Sequence, residues 1–319
     1  TIRDRAETRI RSVVHSAEER GPNLRRTLDS CIMTMSEIEQ MSIPKRKPLM
    51  GGFFYEGDLG FVYAPRGMGK TWITTTMAIA LANGLPFGPW AVPVATKIVY
   101  VDGEMAFDAS RERLNSINLG NRQHEDNLML FHHESTFHKS GRVLNLTSSD
   151  AQAHLKEYCI AQKIKVVFID NLSCLFSMKE NEADAWGLYV QPWLLEMRRH
   201  QIAVVIVHHA GRNGLMRGTS KREDAAFWSI KLSDAKGDGT EKGARFIATF
   251  DKNRNSTAEE CPPFLWHFEP QRDGSVSPRW SSLTPLQVFL GLVEDGLDSC
   301  GDIAVEMGYT KGGISKLAT

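Results

Sequence analysis

A glycine-rich turn places the strongest constraint on the fold of this chain: Ala64-Pro65-Arg66-Gly67-Met68-Gly69-Lys70-Thr71. It follows the apolar run 59–63, which is typical of a buried strand, and precedes a helical pattern over 70–83 that closes at Gly84. Such glycines let backbone N–H groups point inward around a phosphate, and the N-terminus of the following helix adds partial positive charge. The strand, turn and helix together predict a Walker A phosphate loop with alanine in place of its first glycine.

The residue types of this loop indicate ATP and Mg²⁺ as its ligands. We expect Lys70 to reach the β- and γ-phosphates and the Thr71 hydroxyl to complete the Mg²⁺ shell. The predicted nucleotide contacts are the loop residues and the tryptophan that follows them: Ala64, Pro65, Arg66, Gly67, Met68, Gly69, Lys70, Thr71 and Trp72.

Short apolar runs alternate with helical patterns after the loop. The runs 97–101, 128–132, 165–169 and 202–207 are nearly continuous, as in strands buried on both faces of a parallel sheet. Helical stretches over 149–162 and 184–200 separate some of them. Three further runs, at 227–232, 244–250 and 264–268, have the character of an antiparallel end. The pattern predicts an α/β fold, a mainly parallel twisted sheet with helices on both faces.

Polar residues follow the predicted strands at the edge where nucleotides bind in such sheets. Asp170 ends the run 165–169 and is the candidate carboxylate for Mg²⁺. Glu104 lies just beyond 97–101 and could orient or deprotonate the attacking water, with Asp102 as an alternative base. His208 and His209 end the next run, where a side chain can respond to the γ-phosphate.

The two ends of the chain have helical patterns of their own. Residues 2–20 repeat apolar side chains at helical spacing, a second amphipathic run extends from Leu28 to Ile38, and PKRKP at 44–48 interrupts the helix. A second linker is expected from Pro278 to Pro285, and residues 302–317 resemble a helix-turn-helix. The predicted organisation is an N-terminal helical arm and linker, an ATPase core and a C-terminal helix-turn-helix module at 1–45, 46–280 and 284–319, respectively.

A glycine-rich basic segment over 211–222 comes directly after the two histidines. Its flexible backbone and its cations suit contacts with nucleic-acid phosphates that carry no sequence readout. Arg217, Lys221 and Arg222 are the candidate contacts. The alternative is a loop that is ordered only by nucleotide or by a neighbouring subunit.

Composition restricts the class of protein. Lys and Arg number 38, and so do Asp and Glu, so a protein that coats nucleic acid with its whole surface is disfavoured. The five cysteines have no metal-ligand spacing, which is typical of reduced thiols in the cytoplasm. The sequence has no apolar run of membrane-spanning length and no secretory signal, so no membrane association is expected.

In combination these segments resemble the RepA-type branch of the RecA-like hexameric ATPases, the plasmid replicative helicases related to DnaB. The resemblance covers about residues 46–270 and is carried by APRGMGKTW, YVDGEM, VFIDNLS, VVIVHHAG, RGTSKRED and KNR, in this order. It implies that Glu104 is the catalytic base and His209 the γ-phosphate sensor. The family's Lys-x-Arg, which reaches the site of the neighbouring subunit, matches Lys252 and Arg254; a solvated basic turn is the alternative.

The resemblance implies a homo-oligomer, a hexamer, with ATP sites between subunits and hydrolysis coupled to movement on single-stranded DNA. A different class of function is also open. In that class the chain is a RecA-like ATP switch that assembles on DNA or on a protein partner without translocating, in a regulatory or defence role. A small-molecule P-loop kinase is disfavoured, because no substrate-lid segment is evident.

Overall fold

The computed structural model of this chain describes residues 24–177, 185–211, 216, 220–235, 242–294, 296–307 and 309–318. The chain divides into two units, Thr1–Lys45 and Arg46–Thr319. The helix predicted over 2–20 lies outside the described residues. None of the helices in the described ranges is long and apolar enough to cross a membrane.

In the first unit, the described residues form two short helices, α1 (Leu24–Cys31) and α2 (Met35–Gln40). The single amphipathic run predicted here is therefore wrong, since it is interrupted before α2. The interruption occurs at Thr34, whose hydroxyl accepts a hydrogen bond from the backbone N–H of Glu37. The Glu37 carboxylate in turn accepts one from the Thr34 N–H at 2.7 Å. This capping box begins a new helix.

The second unit begins with a short antiparallel hairpin, β1 (Pro48–Met50) and β2 (Phe54–Tyr55). A large sheet follows. Its strands are, in chain order, β3 (Leu59–Ala64), β4 (Ile98–Asp102), β5 (Leu128–His132), β6 (Val166–Asp170), β7 (Ala203–His209), β8 (Trp228–Asp234), β9 (Ala244–Asn253), β10 (Phe264–Pro270) and β11 (Val276–Ser282).

Across this sheet, the described strands follow the order β5-β4-β6-β7-β3-β8-β9-β10-β11. Neighbours from β5 to β8 are parallel, and neighbours from β8 to β11 are antiparallel. The predicted α/β fold with a mainly parallel sheet is confirmed. Because β6 and β7 lie between β4 and β3, the carboxyl ends of these strands bring residues from distant parts of the sequence to one edge.

Helices cover both faces of the sheet. They are α3 (Lys70–Asn83), α4 (Phe107–Ser116), α5 (His133–Ser140), α6 (Ser149–Gln162), α7 (Leu172–Leu175), α8 (Gln191–Arg199) and α9 (Ser220–Ala225), with a π-helical turn Trp186–Val190 before α8. Alternate residues of a strand point to opposite faces. Val62 therefore packs in the core under α3, whereas Phe61 packs with Leu155 of α6 and Trp193 of α8. Burial on both faces explains the continuous apolar runs.

The linker predicted from Pro278 to Pro285 is wrong over its first half, because β11 continues to Ser282 and pairs with β10. Proline in a strand removes a backbone donor and is tolerated mainly at the edge of a sheet. β11 is such an edge, since β10 is its sheet neighbour and it ends the strand order. A proline therefore signalled a sheet edge here and not the end of regular structure.

After the sheet, the described residues form the helices α10 (Pro285–Glu294), α11 (Cys300–Met307) and α12 (Lys311–Leu317). Phe289, Ile303 and Ile314 form a small core between them. Thr310 caps α12 by accepting a hydrogen bond from the Gly313 N–H at 3.1 Å. The predicted helix pair coincides with α11 and α12, while the helix-turn-helix assignment and DNA binding by this module stay predictions.

Candidate nucleotide-binding site

The phosphate loop connects Ala64, the last residue of β3, to Lys70, the first residue of α3. Gly67 and Gly69 have φ angles of 78° and 93°, in the left-handed region that favours glycine. A Cβ atom at Gly69 would also lie 2.4 Å from the ring of Phe246, so no larger residue fits. The loop leads into the N-terminus of a 14-residue helix, where backbone N–H groups and the helix dipole favour a phosphate.

Lys70 is held inside this loop. Its side chain is 7 % exposed, and its Nζ donates to the carbonyl oxygens of Ala64 at 3.2 Å and Pro65 at 2.8 Å. Burial lowers the pKa of Lys70, while the carboxylates of Asp170 and Glu104 act in the opposite direction. Phosphate oxygens accept stronger hydrogen bonds from an ammonium group than carbonyl oxygens do. A bound nucleotide can therefore replace the two carbonyl contacts.

Asp170 lies at the end of β6, 2 % exposed. The hydroxyl of Tyr100 donates to its Oδ2 at 2.8 Å, and Thr71 also forms a side-chain hydrogen bond with it. Burial raises the pKa of Asp170 to about 6, against the hydrogen bonds from Tyr100 and Thr71, which lower it. A carboxylate beside a hydroxyl is a hard oxygen donor set, so Asp170 and Thr71 fit Mg²⁺.

Glu104, Asn171 and His209 form a connected group at the same edge. The side-chain Nδ2 of Asn171 donates to Glu104 Oε2 and lies 3.4 Å from His209 Nε2. The orientation of the Asn171 amide follows from its other atom, because Oδ1 caps α7 by accepting the Cys174 N–H at 3.1 Å. The structure thus brings the predicted base and the predicted γ-phosphate sensor together through one amide.

Asp102 was the alternative base, and its surroundings suit a different role. It is buried, and its Oδ1 accepts the backbone N–H groups of Glu104 and Met105, both at 3.0 Å. Its Oδ2 accepts the hydroxyl of Ser110. Glu104, by contrast, is exposed to solvent at the mouth of the site. This arrangement favours Glu104 over Asp102 as the group that contacts a water molecule.

His208 precedes His209 at the end of β7 and points to the opposite face of the sheet, where it meets Arg222. His208 is fully buried, and its Nε2 is 3.3 Å from Nη1 of Arg222. Arg222 is 1 % exposed, and its guanidinium lies over the ring of Trp186. A buried side chain cannot contact a nucleic-acid backbone, so the structure contradicts this member of the predicted set. Arg217 and the side chain of Lys221 lie outside the described residues.

Lys252 and Arg254 lie together at the end of α9. Nζ of Lys252 donates to the carbonyl oxygens of Glu223 and, at 3.3 Å, Asp224. Arg254 Nη2 donates to the Asp224 oxygen at 2.9 Å. Burial lowers the pKa of Lys252, and the charge of Arg254 lowers it further. Cations are favourable at these carbonyls, because they lie in the last turn of the helix.

Trp72 lies next to the loop on α3. The guanidinium of Arg113 is 4.5 Å from the centre of its ring, and the ring of Phe268 lies 5.8 Å away. Its place on the first turn of α3 keeps it a candidate nucleotide contact.

Two residues of the site were missed in the sequence. Tyr100 interrupts an otherwise aliphatic strand two positions before Asp102, and a hydroxyl on the buried face of such a strand usually has a polar partner. Asn171, which directly follows Asp170, is not among the predicted site residues. Its position before an apolar segment is that of a helix cap, but the contacts of its amide with Glu104 and His209 have no local signal.

Comparisons with known proteins give one family model and solved structures that are similar to this chain. The family described as AAA domain matches residues 22–214, which is more than half of the chain. A KaiC-like protein from Pyrococcus horikoshii OT3 is similar in structure over 74 % of this chain and 99 % of its own, with a TM-score of 0.50 and 16 % identity. The flagellar accessory protein FlaH from Methanocaldococcus jannaschii is similar over 69 % of this chain and 89 % of its own, with a TM-score of 0.46 and 13 % identity.

No curated protein matches the chain. The expected relationship to replicative helicases stays a prediction. The family match covers the phosphate loop and the strands β3 to β7, which carry the predicted nucleotide site. This chain belongs to the AAA domain family and has the fold of a RecA-like P-loop ATPase.

Proposed function

We propose that this protein is an oligomeric ATPase in which each active site is completed by the neighbouring subunit. The observation that supports this most directly is the separation of two groups of residues within one subunit. Lys70, Thr71, Asp170 and Glu104 gather at the carboxyl edge of the parallel strands. Lys252 and Arg254 lie elsewhere.

The pairing of the strands gives this separation. Asn253, at the end of β9, is level with Trp228 at the start of β8. Trp228 is level with Gly60 of β3, and Ala64 lies four residues, or about 13 Å, further along that strand. Lys252 and Arg254 are therefore at the amino edge, opposite their own phosphate loop. If they stabilise a transferring phosphoryl group, that group belongs to another subunit.

Within one subunit, the remaining residues have complementary roles. Lys70 binds the β- and γ-phosphates, and Thr71 and Asp170 hold Mg²⁺, which neutralises charge that develops on the phosphates. Glu104 orients the attacking water and accepts its proton. Asn171 keeps the Glu104 carboxylate in place and connects it to His209, the proposed γ-phosphate sensor.

Subunit mixing tests the shared site. Arg254→Ala should bind ATP and hydrolyse it poorly, and Lys70→Ala should be inactive. Mixed oligomers should regain part of the activity. At some of their sites the Lys70→Ala subunit supplies Arg254, and the Arg254→Ala subunit supplies an intact phosphate loop. If every mixing ratio stays inactive while labelled subunits demonstrably exchange, Arg254 acts within its own subunit or has a structural role only.

We further propose that hydrolysis drives movement along single-stranded DNA, as in a replicative helicase motor. The motive is the position of the basic segment, which directly follows His209, the proposed γ-phosphate sensor, in the sequence. Arg217 and Lys221 are the proposed phosphate contacts. Unwinding of a forked duplex with ATP, and its loss in Lys70→Ala, is the expected result of a strand-displacement assay.

One observation favours the second candidate function, an ATP switch that assembles on DNA or a protein without translocating. The burial of Arg222 removes one of three cations from the proposed DNA contact. ATP-dependent assembly without strand displacement would support the switch and contradict the motor.

A further inference from the structure

The junction between β5 and α5 forms hydrogen bonds with the segment that carries Glu104. The strand pairing places His132, the last residue of β5, level with Asp102, the last residue of β4. The next two residues, His133 and Glu134, begin α5. Each of these three residues holds a different group of the segment after β4, and none of them is part of the nucleotide site described above.

His132 acts through a chain of hydrogen bonds. Its Nδ1 accepts the backbone N–H of Glu134 at 3.2 Å, so in the neutral ring the proton lies on Nε2. Nε2 lies 3.5 Å from the hydroxyl of Ser110, which donates to Asp102. Both carboxylate oxygens of Asp102 therefore accept hydrogen bonds. Oδ2 accepts one from Ser110, and Oδ1 accepts those of the Glu104 and Met105 N–H groups. The side chains of His132, Ser110 and Asp102 are all buried, so the surrounding atoms restrict their orientation.

His133 and Glu134 hold the same segment directly. Nε2 of His133 donates to the Met105 carbonyl at 3.0 Å. The Glu134 carboxylate accepts the N–H of Phe107 at 2.8 Å, at the start of α4. The other side of the turn is fixed by Gly103, whose N–H donates to the Asp170 carbonyl at 2.6 Å. A Cβ atom at Gly103 would lie 2.5 Å from Leu175, so the turn packs tightly against α7.

We propose that His132, His133 and Ser110 are positioning residues for Glu104, acting through Asp102 and the backbone of the turn at 103–105. This proposal rests on the assignment of Glu104 as the base. A carboxylate that must meet a water molecule in line with a phosphate tolerates little displacement, and a misplacement of about 1 Å can reduce a rate on the order of a hundredfold. Loss of an anchor therefore lowers kcat and leaves nucleotide affinity intact.

The variants are Ser110→Ala, which removes the central hydroxyl, and His133→Met, which keeps the length of the side chain but lacks a donor. His133→Gln retains an N–H near the position of Nε2 and is the conservative variant. Ser116→Ala is the matched control, because its hydroxyl lies on the same helix and donates only within that helix, to Arg113 O at 3.0 Å. Nucleotide Kd, KM and kcat are measured for each, with thermal unfolding as a check on the fold.

Ser110→Ala and His133→Met should each lower kcat about tenfold or more, with nucleotide Kd within about twofold of wild type. His133→Gln should recover most of the rate, and Ser116→Ala should match wild type. Adding Ser110→Ala to Glu104→Gln should cause no further loss, because the anchor acts through Glu104.

Two results overturn the proposal and are distinguishable. If Glu104→Gln itself hydrolyses ATP at the wild-type rate, the assignment of the base fails and the positioning role fails with it. If Glu104→Gln is inactive but Ser110→Ala and His133→Met keep the wild-type kcat, only the positioning role is wrong. The same conclusion follows if these two substitutions lower kcat by the same factor in the Glu104→Gln variant as in the wild-type protein.

Discussion

Replacing Asp170 with Asn should stabilise the protein in the absence of Mg²⁺ and nucleotide. Asp170 is buried at the end of β6, and burial raises its pKa from 3.8 to about 6. An ionised carboxylate in that position costs free energy, because its hydration is lost. The amide that the substitution introduces is neutral and still offers an oxygen to the Tyr100 hydroxyl, which donates to the Asp170 carboxylate at 2.8 Å in the unaltered protein.

The sign and size follow from the pKa shift. Because folding raises the pKa, the stabilising effect of the proton is fully present below pH 3.8 and is lost as the pH rises through about 6. The difference between a pKa of 3.8 in the unfolded chain and one of about 6 in the folded protein corresponds to about 3 kcal/mol. The free energy of unfolding of Asp170→Asn should therefore exceed that of wild type by about 3 kcal/mol at pH 8, and by about half of that at pH 5.

Urea unfolding at pH 5, 6, 7 and 8 in the presence of a chelator measures this difference. Asp126→Asn, which changes an exposed carboxylate, is the matched control and should show no such trend. Adding Mg²⁺ and nucleotide should stabilise wild type by mass action and narrow the difference, since Asp170→Asn lacks the charge that holds the metal. A variant that is less stable than wild type at pH 8, or a difference that does not change with pH, would refute the reasoning.

Three further predictions concern the nucleotide and DNA. Lys70→Ala should abolish tight nucleotide binding, and retained affinity in a fluorescent-nucleotide titration would contradict its role. Glu104→Gln should bind ATP normally and turn over about a hundredfold more slowly, because an amide accepts no proton; a steady-state rate near wild type would move the base elsewhere. Neutralising Arg217 and Lys221 together should reduce the salt slope of single-strand binding by about 1.4, equally for different sequences. An unchanged slope in an assembled variant would exclude this segment.

Local sequence patterns determined the framework of the molecule. The helix over 70–83, the helix over 149–162 and the strand over 128–132 coincide with α3, α6 and β5, because periodicity and glycine placement act over a few residues. The phosphate loop could be recognised for the same reason, since strand, turn and helix are contiguous in the chain. The signal failed where a proline marked an edge strand and not a linker, in β11.

The order of strands in the sheet decided the rest of the site. Asn171 and Glu104 are 67 residues apart and meet only because β4 and β6 are neighbours. In the folded chain Asp102 is buried and Glu104 is exposed, and the sequence of a motif in which the two carboxylates are two residues apart does not show this difference. Such contacts depend on which strands pair and in which register, and no local propensity encodes that choice.

The tertiary structure also determined which basic side chains are buried and at which edge of the sheet the others lie. Arg222 is the last residue of a glycine-rich basic segment that suggests a phosphate contact, yet it is buried against Trp186 and His208. Lys252 lies near the end of β9 and Arg254 directly follows the strand, and only the antiparallel pairing of β9 with β8 places them at the edge opposite Lys70. The sequence by itself determined the phosphate loop and the parallel α/β core, because the patterns that predict them involve residues that are close together in the chain. Which charged side chains reach solvent, and at which edge of the sheet, depends on contacts between distant segments, and these exist only in the folded chain.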